Sequence, residues 1–354
     1  MMRPVPDRAT HGPLGVALIV LVAAVLLVLA WMLSYVLLVA FMGVLIAVLL
    51  RHSACAIARH TPLSARMSVG LIVVAAVAVG TAFVMTFGPR ITSEMEQIGQ
   101  ILPEAARTVA DALQDRSWGK YLLNNIPGGD AGPDLNLFGA IGGTLSTVIS
   151  VATNVLVLIA VAIFLALDPQ LYRRGVLHLM PLSQRDRAEE ILDALGYNLW
   201  LWLQGQLLDM AVVAVLTGAG LWLIGVPLSI TLGLIAGITN FIPYVGPFIS
   251  GIPAVLIAFA NEPSDALWAA GVFLLVQQFE GNILMPVIQK RVASLPPALS
   301  VLAIVAFGVL FGFIGLLVAT PLLLVVIILI KMIYVEDILG DHSVAPPESA
   351  EDGR

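Results

Sequence analysis

The chain has 354 residues, of which 59% are hydrophobic and only 11% charged, with a mean hydropathy of +0.99. Water-soluble domains carry roughly 25% charged residues, so this composition excludes them and indicates an integral membrane protein. The net charge of −6 says less than where the charges lie, because membrane orientation follows the Lys and Arg residues.

Residues 1–13 form an N-terminal tail with Arg3 and Arg8, and 14–88 hold three predicted spans, with apolar runs at about 14–33, 34–50 and 69–88. Val16 to Ala30 has the look of a secretory signal, but no small-residue cleavage site follows and a second apolar run begins at once. It reads as a retained first span. The loop 51–68 contains Arg51, Arg59 and Arg66 and no acid, which predicts a cytoplasmic loop and hence a cytoplasmic N-terminus. Cys55, the single cysteine, excludes an internal disulfide and has no partner for a zinc motif.

Residues 89–138 are the long polar insertion, with four basic and seven acidic residues. Ile91, Met95, Ile98, Leu102, Ala106, Val109 and Leu113 recur at helical spacing, predicting an extracytoplasmic amphipathic helix. Ser93 and Glu96 suggest a capping box at its start, and Pro103 a kink. The segment is either a connector or a gating or partner-binding surface. NNIPGGDAGPD, 124–134, reads as a loop into the fourth span at 145–167. Beyond Asp168 the segment to Asp193 mixes Arg173, Arg174, Arg185 and Arg187 with acids and is expected to be cytoplasmic. There Ser183 with Asp186 predicts the cap of a helix continuing into the fifth span.

The transmembrane core is placed at 139–335, before an acidic, disordered tail at 336–354. Two of its apolar runs, 229–260 and 298–330, are too long. As one straight helix, 229–260 would extend about 48 Å against a hydrocarbon core of ~30 Å. Breakers concentrate in NFIPYVGP, 240–247, and Gly308, Gly312, Gly315 and Pro321 interrupt the second run. Two re-entrant hairpins, one entering from each side, would keep Lys290, Arg291 and Lys331 cytoplasmic. The expected fold is therefore an all-α polytopic membrane protein with about six full spans and two broken or re-entrant hairpins, eight hydrophobic elements in all, plus the amphipathic insertion.

Non-helical backbone at membrane depth is tolerated only inside protein or beside a water-filled cavity. Paired interruptions point to a transport site built from half-helix ends, whose free amides and carbonyls meet a polar substrate or ion. The alternative is a pair of proline kinks that only shape packing. Asp209 is the one charge between Asp193 and Glu262, and Glu280 the one between Asp265 and Lys290. A charge at that depth costs about 2.5–3.5 kcal/mol, which makes each a candidate proton carrier. Each also fits an interhelical hydrogen-bond clamp, Asp209 with Gln206 and Glu280 with Gln277, three residues away on the same face. The candidate pathway residues are Gln206, Asp209, Asn240, Pro243, Tyr244, Gly246, Pro247, Gln277, Glu280 and Asn282. The pairs Gly233/Gly237 and Gly308/Gly312 read as close-packing faces.

There is no GxxxxGK[ST] loop, no HExxH and no GxSxG, so neither ATP-driven nor hydrolytic chemistry is expected. His11, His52, His60, His178 and His342 lack ligand spacing, and no metal, cofactor or nucleic acid is expected.

IPYVGP, then QQFEGNILMPVIQKRV, then LPP and FGFIGLLVATPLL together resemble the AI-2E (autoinducer-2 exporter-like) family of bacterial membrane permeases. LDPQLYRRGVLHLMP and the Gly205-Gln206 pair fit the same layout, and the resemblance covers about 14–335. It implies transport: export of the quorum-sensing signal autoinducer-2 for some members, exchange of sodium or lithium for protons for others. By motif, Pro243, Gly246, Pro247, Glu280, Asn282 and Pro286 occupy positions characteristic of the family. This chain has Pro296 where a histidine often stands, and Asp209 is no part of the pattern. The expected setting is the bacterial cytoplasmic (inner) membrane, with both termini cytoplasmic, a homo-oligomeric assembly, and a small polar solute or monovalent cation as cargo. A reading from another class stays open, that of a non-transporting assembly or envelope-organising protein.

Overall fold

A computed structural model describes residues 31–114, 145–289 and 295–341, with isolated positions between 21 and 29. The tail 1–13, most of the first span, the loop 124–134, Lys290, Arg291 and most of the C-terminal tail lie outside the described residues. Among the described residues every regular element is a helix and no strand occurs. The elements are α1 (Ser34–His60), α2 (Ala65–Gln114), α3 (Leu145–Leu167), α4 (Pro169–His178), α5 (Arg185–Leu223), α6 (Ser229–Thr239), α7 (Gly246–Asn261), α8 (Pro263–Phe279), a π-helical stretch Glu280–Leu284, α9 (Met285–Gln289), and α10 (Pro297–Leu329), which continues as a π-helix over Ile330–Ile338.

Five helices are long and apolar enough to cross a membrane, or six if the pair Val155–Leu167 and Pro169–His178, bent by 83°, counts as one. Large apolar side chains such as Val74, Met85 and Val309 point outward at 66%, 76% and 81% exposure, as lipid-facing residues do, since lipid tails leave no hydrophobic reason to bury them. The chain is an all-α multi-pass membrane protein.

Both overlong runs fold back on themselves. The first breaks between α6 and α7, where Tyr244 takes a left-handed φ of 67°. An added Cβ on Gly246 would lie 2.3 Å from the Thr239 carbonyl oxygen, so the arms meet backbone to backbone. The second reverses inside α10 at Gly312, with φ 63° and ψ −145°. Phe307 and Gly315 would be ~12 Å apart along a straight helix, yet a Cβ on Gly315 would lie 2.0 Å from the Phe307 carbonyl oxygen. By length alone α10 is one of the five crossing helices; its backbone makes it a hairpin. Gly312 is thus the reversal itself rather than part of a packing face. Gly233 and Gly237 do form one, meeting Gly218 and Ala214 of α5.

The hairpins open toward opposite ends of the bundle. The open end of α6–α7 packs with Leu221 and Val226, where α5 finishes. The open end of α10 lies where α5 starts, because Arg187 donates to the Met332 carbonyl at 3.0 Å and pairs with Glu336 at 2.7 Å. Arg66 pairs with Asp168, which precedes α4, and α4 packs on α5. Lys331 therefore shares an end with Arg66.

Two local expectations are corrected. No helix starts at Ser93: the third span and the insertion as far as Gln114 are one continuous 50-residue helix through Pro89 and Pro103, and Ser93 donates back to the Arg90 carbonyl. Likewise α5 has no side-chain cap from Ser183; a 3-10 turn, Leu182–Gln184, leads into it. The first part of the insertion's apolar stripe does find a partner, since Met95, Ile98 and Ile101 pack on Leu232, Ala254 and Ile257 of the first hairpin.

The hairpin turns predict a sharp contrast. Gly246→Ala and Gly315→Ala should each lower stability in detergent by about 1–3 kcal/mol, the usual cost of overpacking. Gly70→Ala, which meets nothing within 4 Å, should be neutral or stabilising. Thermal unfolding of the three purified variants checks this.

Candidate functional site

The turn of the first hairpin carries Asn240 into the middle of the bundle, where it is 2% exposed. Its amide nitrogen donates to Asp209 Oδ2 at 2.6 Å, and its backbone carbonyl accepts from Gln206 Nε2 at 2.9 Å. Gln206 and Asp209 are three residues apart on α5 and so share a face. The Asn240 amide also lies beside the Glu280 carboxylate, which receives a hydrogen bond from Gln277 Nε2 at 3.1 Å. One amide therefore lies close to two buried acids, Asp209 at 1% and Glu280 at 7% exposure.

The partners of Asn240 border a cavity of about 380 Å³, and Asn240 itself lies behind its wall. Gln206, Asp209, Pro243, Tyr244, Gln277 and Glu280 line it, so most candidate residues from three distant stretches come together. Gly246 and Pro247 do not line it; they begin α7 and hold the turn closed. Asn282 is exposed, with its amide on Gln278, and stays outside the cavity.

Most helix-end amides at the turn are already used. The amides of Phe241, Ile242, Val245, Gly246 and Phe248 all donate to carbonyls within the turn. Side chains therefore supply most of the polar groups around the cavity. Glu280 begins a π-helical stretch, a widened turn of the kind found at functional sites, and Tyr244, left-handed and 50% exposed, adds strain of order 1–3 kcal/mol at the cavity wall.

Among the lining residues the sequence reading did not single out, three carry polar groups: Trp202, Ser300 and Thr320. Thr320 precedes Pro321 inside an otherwise apolar run, and that polar-proline pair was the available signal. Its hydroxyl is buried without a partner, as are Asp209 Oδ1 and Asn240 Oδ1. Unused oxygens thus lie buried in and beside the cavity wall. Among the described residues no group of three or more His, Cys, Asp or Glu could hold a metal ion.

Comparison with known proteins places this architecture. The sequence profile described as AI-2E family transporter matches residues 18–334. The chain belongs to the AI-2E transporter family. Among its relatives, the provisionally named transport protein YueF of Bacillus subtilis is 30% identical over 253 residues, 68% of this chain and 69% of YueF. YrrI of the same organism, also provisionally named a transport protein, is 37% identical over 51% of this chain and 53% of its own length. The AI-2 transport protein TqsA of Escherichia coli is 29% identical over 138 residues, 38% of this chain and 39% of TqsA. The chain thus matches about half the length of YrrI and about two thirds of YueF. As a family member it sits in the lipid bilayer.

Asn240→Ala leaves Asp209 buried without its donor and should cost about 1–3 kcal/mol. Combined with Asp209→Ala it should cost less than the two losses added, because the lost partners are shared. A double-mutant cycle on thermal stability reads the coupling.

Proposed function

We propose that the chain is a secondary transporter that exports a small polar solute, such as a quorum-sensing signal, through the cavity at the first hairpin turn, with proton or sodium coupling. The observation that carries this reading is the cluster of Asp209, Asn240 and Glu280 beside that cavity. Two largely buried carboxyl groups close to one amide hold one exchangeable cation or proton far more readily than two full charges. The cavity size suits a small ligand, and its polar wall suits a hydroxylated one. The name of TqsA, an AI-2 transport protein, agrees with that class of cargo.

Monovalent cation/proton exchange is the second reading, and the unpartnered oxygens of Asp209, Asn240 and Thr320 favour it. In both readings Asp209 and Glu280 carry the coupling charge, Asn240 and Gln206 fix the turn against α5, and Gln277 orients Glu280. The protein resides in the bacterial inner membrane as a homo-oligomer, with the Arg66 end and both termini cytoplasmic, because Arg51, Arg59, Arg66 and Lys331 gather there.

Proteoliposomes loaded with autoinducer-2, or with sodium and a trapped pH dye, and given imposed pH and sodium gradients, test the two readings side by side. Glu280→Gln should cut the gradient-driven rate to below about a tenth of wild type while leaving the thermal melt close to wild type; unchanged flux and pH dependence would overturn the coupling role. Cysteine labelling at positions 290 and 331 should occur from the same face as at position 61.

A further inference from the structure

The polar cluster is walled off on one side by apolar side chains a single helical turn away. Val213 follows Asp209 by four residues on α5, Ala236 precedes Asn240 by four on α6, and Val276 precedes Glu280 by four on α8. The helix α5 runs toward the Glu262 end of the bundle, whereas α6 and α8 run away from it. All three residues therefore lie ~6 Å beyond the cluster in the same direction. They form one contiguous buried group, at 6%, 2% and 8% exposure, with Val272 and Phe273 packed against it. A second apolar tier follows, in which Ile98 of α2 meets Leu221, Leu232 and Ile257. Gly233 and Gly237 press α6 onto α5 beside the layer, within van der Waals reach of the Met210 and Ala214 backbone, which leaves no room for a file of water there. In the other direction the cavity wall continues through Gly281 and Met285 to Ile288 and Pro297, toward the Arg66 end.

We propose that Val213, Ala236 and Val276 are the closed gate of the transport pathway, in a structure whose cavity opens toward the Arg66 end. The assignment rests on the transport reading for its purpose but on the layer alone for its geometry. A constriction built from valine and alanine offers no hydrogen bond to replace the hydration of an ion or polar solute, and gates by dewetting. The Glu94 carboxylate, 7% exposed on α2, accepts a hydrogen bond from Thr231 of α6 and pairs with Arg90 at 2.7 Å. That contact fastens the second tier over the first, so the long helix α2 acts as the cover of the gate.

The test uses the full chain in sealed vesicles, with Cys55→Ala removing the native thiol and Gly281→Cys placing one in the cavity, where an added Cβ meets nothing within 4 Å. A membrane-impermeant maleimide is applied to each face in turn, and Thr61→Cys and Asn261→Cys, at exposed positions, identify the faces. The thiol introduced at position 281 should react from the Thr61 face and not from the Asn261 face. Adding Val213→Ser with Val276→Ser should raise its reaction from the Asn261 face by ~10-fold or more, since hydroxyls rehydrate the layer, and leave the Thr61-face rate unchanged. If the double serine variant does not purify as a single species, Ala236→Ser alone carries the same comparison. Equal reaction from both faces without serines, reaction from neither face, or no gain with them would overturn the gate. Labelling needs no cargo, so a chain that transports nothing can still show the gate, and a transporting chain can still lack it.

Discussion

Lipid offers no donor and no acceptor, so every polar group at membrane depth must find its partner within the protein. Asn240 and Gln277 meet that constraint for two acids. The Asn240 amide donates to Asp209 while its own carbonyl is taken by Gln206, and Gln277 donates to Glu280. Remove the hairpin turn and Asp209 would be left buried without its donor. The position of the turn, the placement of α8 and the depth of the cavity all follow from keeping these partners within hydrogen-bonding distance.

The turn can reach so deep because glycine lets backbones touch. Gly233 and Gly237 bring α6 against α5, and Gly246 lets the two arms of the first hairpin meet at the Thr239 carbonyl. The second hairpin uses the same device at Gly315, with Gly312 supplying the left-handed turn. Ile242 at the first turn then packs on Ile304 and Ala319 from the two arms of the second. The hairpins thus enter from opposite ends and brace each other beside the cavity. Close van der Waals packing of small residues is what holds helices together where the hydrophobic effect cannot.

The two ends of the bundle are fastened differently. At the Arg66 end one guanidinium, Arg187, holds Glu190, Glu336 and Asp337, so α5 and the segment after the second hairpin stay together. Exposed ion pairs contribute little singly, but Glu336 is nearly buried and shares its partner with two others. At the opposite end the fastening is mostly apolar, through Ile98 and its neighbours, with the Glu94–Thr231 contact as its polar point. An apolar seam sealed by one buried carboxylate separates more readily than a network of charges on one arginine, which fits a pathway that opens there.

Much was legible in the sequence by itself. Hydropathy determined that this is a helical membrane protein, because no other secondary structure satisfies its backbone in lipid from within one segment. Run length and breakers determined that 229–260 and 298–330 could not be straight, and the scarcity of charge singled out Asp209 and Glu280. These are one-dimensional facts, set by bilayer thickness and by the cost of a buried charge. Contact across seventy residues is not. Only the tertiary structure decided that Asn240 would sit close to the two acids, that Asn282 would turn away although it lies two residues from Glu280, and that most helix-end amides would be spent inside the turn. It also decided that the first part of the insertion, to Gln114, continues the third span and covers the first hairpin. Local spacing fixes which residues share a helix face, whereas the faces that meet are chosen by packing among elements distant in the chain, and that choice carries no periodic signature.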